Sequence, residues 1–320
     1  MKPKNESQSL KIKNTHTPSS LEKNQRLIRV ATRAAVIVAC VLIVVKLGAW
    51  LIVDSVVLLS SFVDSVMDTF ASLINLLAVR HAMQPADSEH RFGHGKMESI
   101  AGLGQAAFII GSGIFLFVEA IGRILNPVDI KMGSLGIGVM VFSMILTAGL
   151  VIFQRNVSQK TGSLAIKADS LHYTSDFLVN VGIILALVLA VTLGWQLADP
   201  IAGILVALVI IFSAIQIVRQ SIDRLMDREL SDIDRENIIN IALSHPTVSK
   251  CHDLRTRSAG LDIFIQLHIE MDGYLTLNQA HEVCDDVELK ILKAYPNAEI
   301  IIHADPEGIT EEHPDFEHEV

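Results

Sequence analysis

Residues 57–80 read VLLSSFVDSVMDTFASLINLLAVR, an apolar run interrupted by Asp64 and Asp68. A helix needs about 20 predominantly apolar residues to cross a bilayer, and this run supplies them. Four positions apart, the two carboxylates fall on one helical face. Residues 168–176, ADSLHYTSD, repeat the spacing with His172 and Asp176 inside another long apolar run. Two membrane helices are thus predicted to offer a pair of ligand side chains each. Ionised and unpaired at membrane depth, Asp64, Asp68 and Asp176 would cost about 2.5–3.5 kcal/mol each on insertion scales. Together that approaches the whole stability of a domain. The cost largely disappears if the four groups converge on a divalent cation or hold protons. Three carboxylates and an imidazole suit zinc, ferrous iron, cadmium or cobalt, and the lack of thiolate or thioether argues against copper(I). The competing reading is protonated acids, or acids paired with a base such as Lys46, that merely join helices. A single buried acid is common; two i,i+4 pairs are not.

The rest of the chain fits a membrane protein. Of 320 residues, 50% are hydrophobic and only 19% charged, with mean hydropathy +0.44, which excludes an ordinary soluble globular protein. Six apolar stretches are expected to cross the bilayer, near 30–53, 57–80, 98–124, 133–154, 166–193 and 199–220. Lys2, Lys4, Lys11, Lys13, Lys23, Arg26 and Arg29 precede the first stretch. Arg91 and Lys96 lie in the second loop and Arg155 and Lys160 in the fourth, whereas the loops around Asp54 and Trp195 carry no base and the third only Lys131. The positive-inside rule then places both termini in the cytoplasm. Residues 1–27, rich in Lys, Asn, Ser and Thr, read as a disordered tail. The first apolar run starts too late and is too long for a secretory signal.

After Met226 the balance changes: 21 of the 35 acids but 7 of the 26 bases lie there, so this part carries −14 and the remainder +5. A basic face for nucleic acid is missing. Residues 28–226 are read as the transport domain, 227–306 as a cytoplasmic α/β domain, and 307–320 as an acidic disordered tail. Ser231 or Asp232 can cap a helix that His245-Pro246 ends. Residues 263–270 alternate as a half-buried strand, after a short strand near 252–256. Thr276 and Gln279 form a capping box that opens a helix to about Ala294, and 299–303 read as a last strand. The expected order is helix, strand, strand, helix, strand. Cys40, Cys251 and Cys284 show no CxxC spacing and indicate neither a disulfide framework nor a zinc ribbon. Cys284, one turn after His281, is a weak candidate for supporting a ligand. His245 reads as a helix-end residue.

Binding a divalent ion at the intramembrane groups requires His172 and a carboxylate to shed protons. Metal and proton therefore compete, and a site that opens alternately to the two sides exchanges one for the other. An intramembrane protease is the rival class, but no HExxH occurs and none of Asp64, Asp68 and Asp176 is followed by the expected glycine context. A metal sensor with a membrane anchor is another alternative.

At these residues the sequence resembles the cation diffusion facilitator family, in its bacterial ferrous-iron, zinc and cadmium efflux branch. The resemblance rests on DxxxD in the second stretch, HxxxD in the fifth, Pro85-Ala-Asp87-x-x-His90-Arg-Phe-Gly-His94-Gly-Lys96, and His252-Asp-Leu-Arg-Thr-Arg, spanning about 28–306. It implies a homodimer with six transmembrane helices per subunit, a cytoplasmic domain of metallochaperone-like fold, and metal–proton antiport across the inner membrane. Zinc, or another divalent metal, is implied as both cargo and structural ion. The implied transport site is Asp64, Asp68, His172 and Asp176. Asp87, His90 and His94 would form a second site, for which their spacing beside Gly93 and Gly95 is plausible. A third, two-metal site would use His252, His268, His281, His303 and a bridging Asp305. Lys96 and Asp227 would interlock by charge, holding the subunits of the dimer at the membrane surface where the two domains meet. The tail residues His313 and His318 are expected to bind metal weakly at most.

Overall fold

A computed structural model describes residues 21–53, 56–125, 134–193 and 197–308. The expectations for the first 20 residues, for Asp54, Lys131 and Trp195, and for His313 and His318 lie outside them. Six long helices come first: α1 (Leu21–Val53), α2 (Val56–Ala82), α3 (Lys96–Leu125), α4 (Ser134–Thr161), α5 (Leu164–Leu193) and α6 (Ala198–Leu225). Among the described residues, α1, α2, α3, α4 and α6 are each long and apolar enough to cross a membrane. α5 matches them in length and carries Lys167, Asp169, His172 and Asp176 in its first half. Helix α1 corrects the expected tail, because residues 21–27 are already helical. Leu27 and Ile28 pack against Val79, Val157, Ala165 and Ile166, and such packing extends a helix that local propensity alone would not.

α3 lies along α6, α1 along α2, and α5 against α4 and α6. Small residues permit the close α3–α6 approach: a Cβ on Gly113 would meet Ile211 at 2.7 Å, the logic of small residues at membrane helix interfaces. The start of α5 is satisfied from two sides. Ser163 Oγ accepts the Ile166 N–H at 3.3 Å, and the buried Glu98 of α3 accepts the Ala165 N–H at 3.4 Å, placing an acceptor and a carboxylate at a positive helix end.

The C-terminal domain comprises α7 (Asp232–Leu243), β1 (Lys250–Ala259), β2 (Asp262–Met271), α8 (Leu277–Ala294) and β3 (Ala298–Pro306). Its sheet order is β1-β2-β3, with β1 antiparallel and β3 parallel to β2, so α8 is the crossover that a parallel pair requires. Ser231 caps α7, and the Thr276–Gln279 capping box is formed. Ile238, Ile265, Leu267, Ile269, Val287 and Ile291 centre the core between the sheet and helices. β1 is longer than expected and bulged, its pairing stepping from His252 opposite His268 to Arg255 opposite Gln266.

The two domains meet at a close backbone seat. A Cβ on Gly95 would stand 2.1 Å from the Ala259 carbonyl oxygen, and one on Gly260, whose φ is +65°, would stand 3.1 Å from Gly95 Cα. Beside this seat the Arg257 guanidinium lies 4.8 Å from the Phe92 ring and 4.7 Å from that of Phe264. Helix α6 ends in a Schellman-type turn, with the Arg228 N–H on the Asp223 carbonyl, and Asp227 takes the left-handed position at φ +56°. That turn presents Asp227 to Lys96 at 2.9 Å and to Arg257 at 3.4 Å, while Lys96 Nζ also donates to the Leu225 carbonyl at 3.3 Å.

Candidate metal-binding sites

In the membrane domain, α2 and α5 bring Asp68, His172 and Asp176 together, with one ligand atom from each within 4.8 Å of the others. His172 Nε2 lies 3.0 Å from Asp68 Oδ1 and 3.8 Å from Asp176 Oδ2. The imidazole is 5% exposed, whereas Asp176 is 38% exposed, so the cluster is walled on one side and open on another. Phe108 and Tyr173 meet the imidazole edge-on. Tyr173 is pinned by its hydroxyl, 2.7 Å from Ser72 Oγ. Asp64 lies one turn away on α2, exposed and outside this cluster. Residues i and i+4 share a face but differ by about 6 Å along the axis, so a common face alone does not bring both to one point. Lys46 Nζ donates to Ser65 Oγ at 2.7 Å and to the Ser61 carbonyl at 3.2 Å. One turn before His172, the fully buried Asp169 accepts from Gln105 of α3 at 2.8 Å and from Gln154 of α4. Sequence reasoning passed over this clamp, because glutamines far apart in the chain do not announce a shared partner.

The loop between α2 and α3 gathers Asp87, His90 and His94 within 4.8 Å. Asp87 Oδ1 accepts the backbone N–H groups of His90 at 2.6 Å and Glu89 at 2.9 Å. These bonds, the His90 one foremost, hold the carboxyl below its usual range. Its other oxygen lies 3.3 Å from His94 Nε2. The His94 ring is 6% exposed, and its Nδ1 has no hydrogen-bond partner. His81, at the end of α2, packs edge-on against His94 at 4.8 Å and was not anticipated.

In the C-terminal domain, strand register aligns three histidines. His252 pairs with His268, and His268 with His303. The buried Asp305 faces all of them: Oδ2 lies 2.9 Å from His268 Nδ1 and 3.4 Å from His252 Nε2, while Oδ1 lies 3.1 Å from His303 Nε2. The structure does not bring His281 to this row; its side chain is 74% exposed on α8, 3.8 Å from Asp285. Two further acids border the row, Glu270 at 3.7 Å from His252 and Asp253 at 3.7 Å from His268. Glu270 was findable, two positions beyond His268 on the same strand face. Cys284 packs against the hydrophobic core. Burial, then Asp285 and Glu288, raises its thiol pKa. His245 Nδ1 accepts the Thr247 N–H at 3.3 Å, a turn contact.

Residues 32–226 match the family model described as the cation efflux transmembrane domain, and residues 230–307 match the cation efflux protein cytoplasmic domain. The chain belongs to the cation efflux family. It is 46% identical over 281 residues to the cation-efflux pump FieF of Salmonella choleraesuis (strain SC-B67), covering 88% of this chain and 93% of that protein. FieF of Salmonella newport (strain SL254) matches with the same identity and coverage. Among solved structures, the zinc form of the transporter CzrB is 30% identical over 27% of this chain and 99% of its own, at a TM-score of 0.25. A nickel form of the MamM C-terminal domain is 27% identical over 24% of this chain and 99% of its own, at 0.23. The protein is thus a cation efflux transporter of the FieF type in the cation diffusion facilitator family. Its relatives are pumps, not enzymes, which sets aside the protease reading.

Proposed function

We propose that this protein exports divalent metal from the cytoplasm in exchange for protons, with zinc the principal cargo and ferrous iron and cadmium alternatives. The observation that carries this reading is the convergence of Asp68, His172 and Asp176 between α2 and α5. Three oxygen and nitrogen donors at membrane depth are costly without a cation or protons, and they suit a four-coordinate ion once Asp64 joins as the fourth ligand. Metal entry displaces protons from these groups, and their return as metal leaves couples the two fluxes. Alternating access then moves the site between the two sides of the inner membrane, with both termini cytoplasmic.

In this reading the Asp87, His90 and His94 loop binds metal on the cytoplasmic face. Residues 227–306 form the cytoplasmic half of a homodimer, whose metal site uses His252, His268, His303 and the bridging Asp305. Two imidazoles and a carboxylate already within 4.8 Å fit zinc or a similar ion. His281 would join this site only from a different placement of α8 or from the partner subunit. Lys96 and Asp227 interlock by charge where the two domains meet and hold the subunits together at the membrane surface. The test is uptake of zinc, ferrous iron, cadmium and manganese into inside-out vesicles with an imposed pH gradient. Gradient-dependent flux that Asp68→Ala and His172→Ala abolish is expected. Flux that survives either substitution refutes the site, and metal binding without any flux favours a sensor.

A further inference from the structure

Asp253 carries a backbone φ of +44°, a conformation that a residue with a side chain keeps only where its surroundings hold it. It sits in the bulge where β1 spends three residues against two of β2. In a regular strand His252 and Asp253 would point to opposite faces. The bulge re-aims Asp253, so that both side chains reach the same ring. The His252 and His268 ring centroids are 5.2 Å apart, and Asp253 Oδ2 lies 3.7 Å from His268 Nε2. Arg255 grips both oxygens of this carboxylate, Nε to Oδ1 at 3.1 Å and Nη2 to Oδ2 at 3.0 Å, and the Asp253 side chain is only 12% exposed.

The opposite edge of the His268 ring faces the candidate metal position, with Nδ1 2.9 Å from Asp305 Oδ2. An imidazole that ligates through one nitrogen commonly donates its other N–H to a carboxylate, which fixes ring orientation. We propose that Asp253, clamped by Arg255, is a positioning residue of the cytoplasmic metal site, steadying His268 through Nε2 so that Nδ1 meets the ion shared with His252 and Asp305. The 3.7 Å separation is that of an ion pair rather than a hydrogen bond, and a small ring shift closes it. The inference rests on reading the cytoplasmic cluster as a metal site.

Glycine separates this role from a merely structural one. If Asp253 only staples the bulge, removing it lowers stability and metal affinity in step. If it positions His268, Asp253→Gly weakens metal binding while the metal-free protein melts no earlier, because glycine adopts φ +44° without steric cost. The experiment uses the full chain in detergent, with Asp68→Asn and Asp87→Asn silencing the other two candidate sites, and equilibrium dialysis with zinc alone. Asp253→Gly is expected to lower zinc affinity by about 10–100-fold at an unchanged or higher metal-free melting temperature. Asp253→Asn, whose amide oxygen still accepts the Nε2 proton, is expected to keep most of the affinity. Arg255→Ala, which frees the clamp, falls between them.

Zinc affinity unchanged in both Asp253→Gly and Arg255→Ala overturns the proposal, as does a loss of affinity that tracks melting temperature across the series. Should the glycine variant fail to fold, unchanged affinity in Arg255→Ala overturns it alone. His268→Ala separates the two layers. If it binds zinc like its parent, the cytoplasmic site itself is refuted. If it abolishes binding while Asp253→Gly does not weaken it, only the positioning role falls.

Discussion

Replacing Gly95 by alanine tests the seat between the two domains. Gly95 is not among the residues with left-handed φ, so alanine is conformationally allowed there. At a neutral site the change would stabilise by about 0.4–1 kcal/mol through the unfolded chain. Here the new Cβ would lie 2.1 Å from the Ala259 carbonyl oxygen, 2.5 Å from its carbon and 3.1 Å from Gly260 N. All three are backbone atoms, so no side chain can swing aside. Reaching the 3.4 Å at which ordinary contact begins requires the β1–β2 turn to retreat by more than about 1 Å, an overpacking strain of about 1–3 kcal/mol. Retreat also loosens the Arg257 stack on Phe92 and Phe264, worth about 0.5–1 kcal/mol at an exposed site. The half-exposed Lys96–Asp227 pair adds at most about 1 kcal/mol. The expected outcome is a net loss of about 1–3 kcal/mol, read as a lower melting temperature of the full chain in detergent and faster proteolysis at the turn. Gly104→Ala, whose Cβ meets nothing within 4 Å, is the control and should melt no earlier than the parent. Gly95→Ala melting at or above the parent would refute the close seat.

Three further outcomes follow from the C-terminal domain. Ile265→Ala, at a fully buried position on the central strand, should cost about 2–5 kcal/mol; a loss below about 1 kcal/mol in denaturant unfolding would mean that the sheet is not packed as described. Thr276→Ala removes one half of the capping box that opens α8 and should cost about 1 kcal/mol, seen as increased amide exchange in the first turn of α8. Burial pushes the Cys251 thiol up to about 11 from an ordinary 9.0. The unfolded chain therefore releases this proton first, and the contribution of Cys251 to stability falls as pH rises from 9 to 11. Cys251→Ala should flatten that part of the pH–stability curve, and maleimide should label Cys251 slowly at pH 8 until the domain unfolds; fast labelling of the folded protein would contradict its burial.

The apolar runs and the two i,i+4 pairs were legible because membrane length and helical period act on nearest neighbours along the chain. The capping box and the alternation of β2 were legible for the same reason. The early start of α1 was not, since residues 22–26 are polar and their helix is secured by contacts of Leu27 and Ile28 with distant helices. The bulge at Asp253 has no sequence mark, because a left-handed aspartate looks like any other. Shared helical phase brought Asp68 to His172 but did not bring Asp64 into the cluster. His281 shows the limit of counting histidines, as its place in α8 keeps it apart from the row that strand register builds.

The row of His252, His268 and His303 runs across all three strands, and it exists in one alignment only. A slip of one residue on β3 would turn His303 and Asp305 toward the helices and Ile302 outward. The donor cluster is therefore a gauge of correct strand pairing: a misaligned sheet has no place where these atoms meet, and an ion that requires the cluster draws only the correctly threaded chain out of the folding mixture.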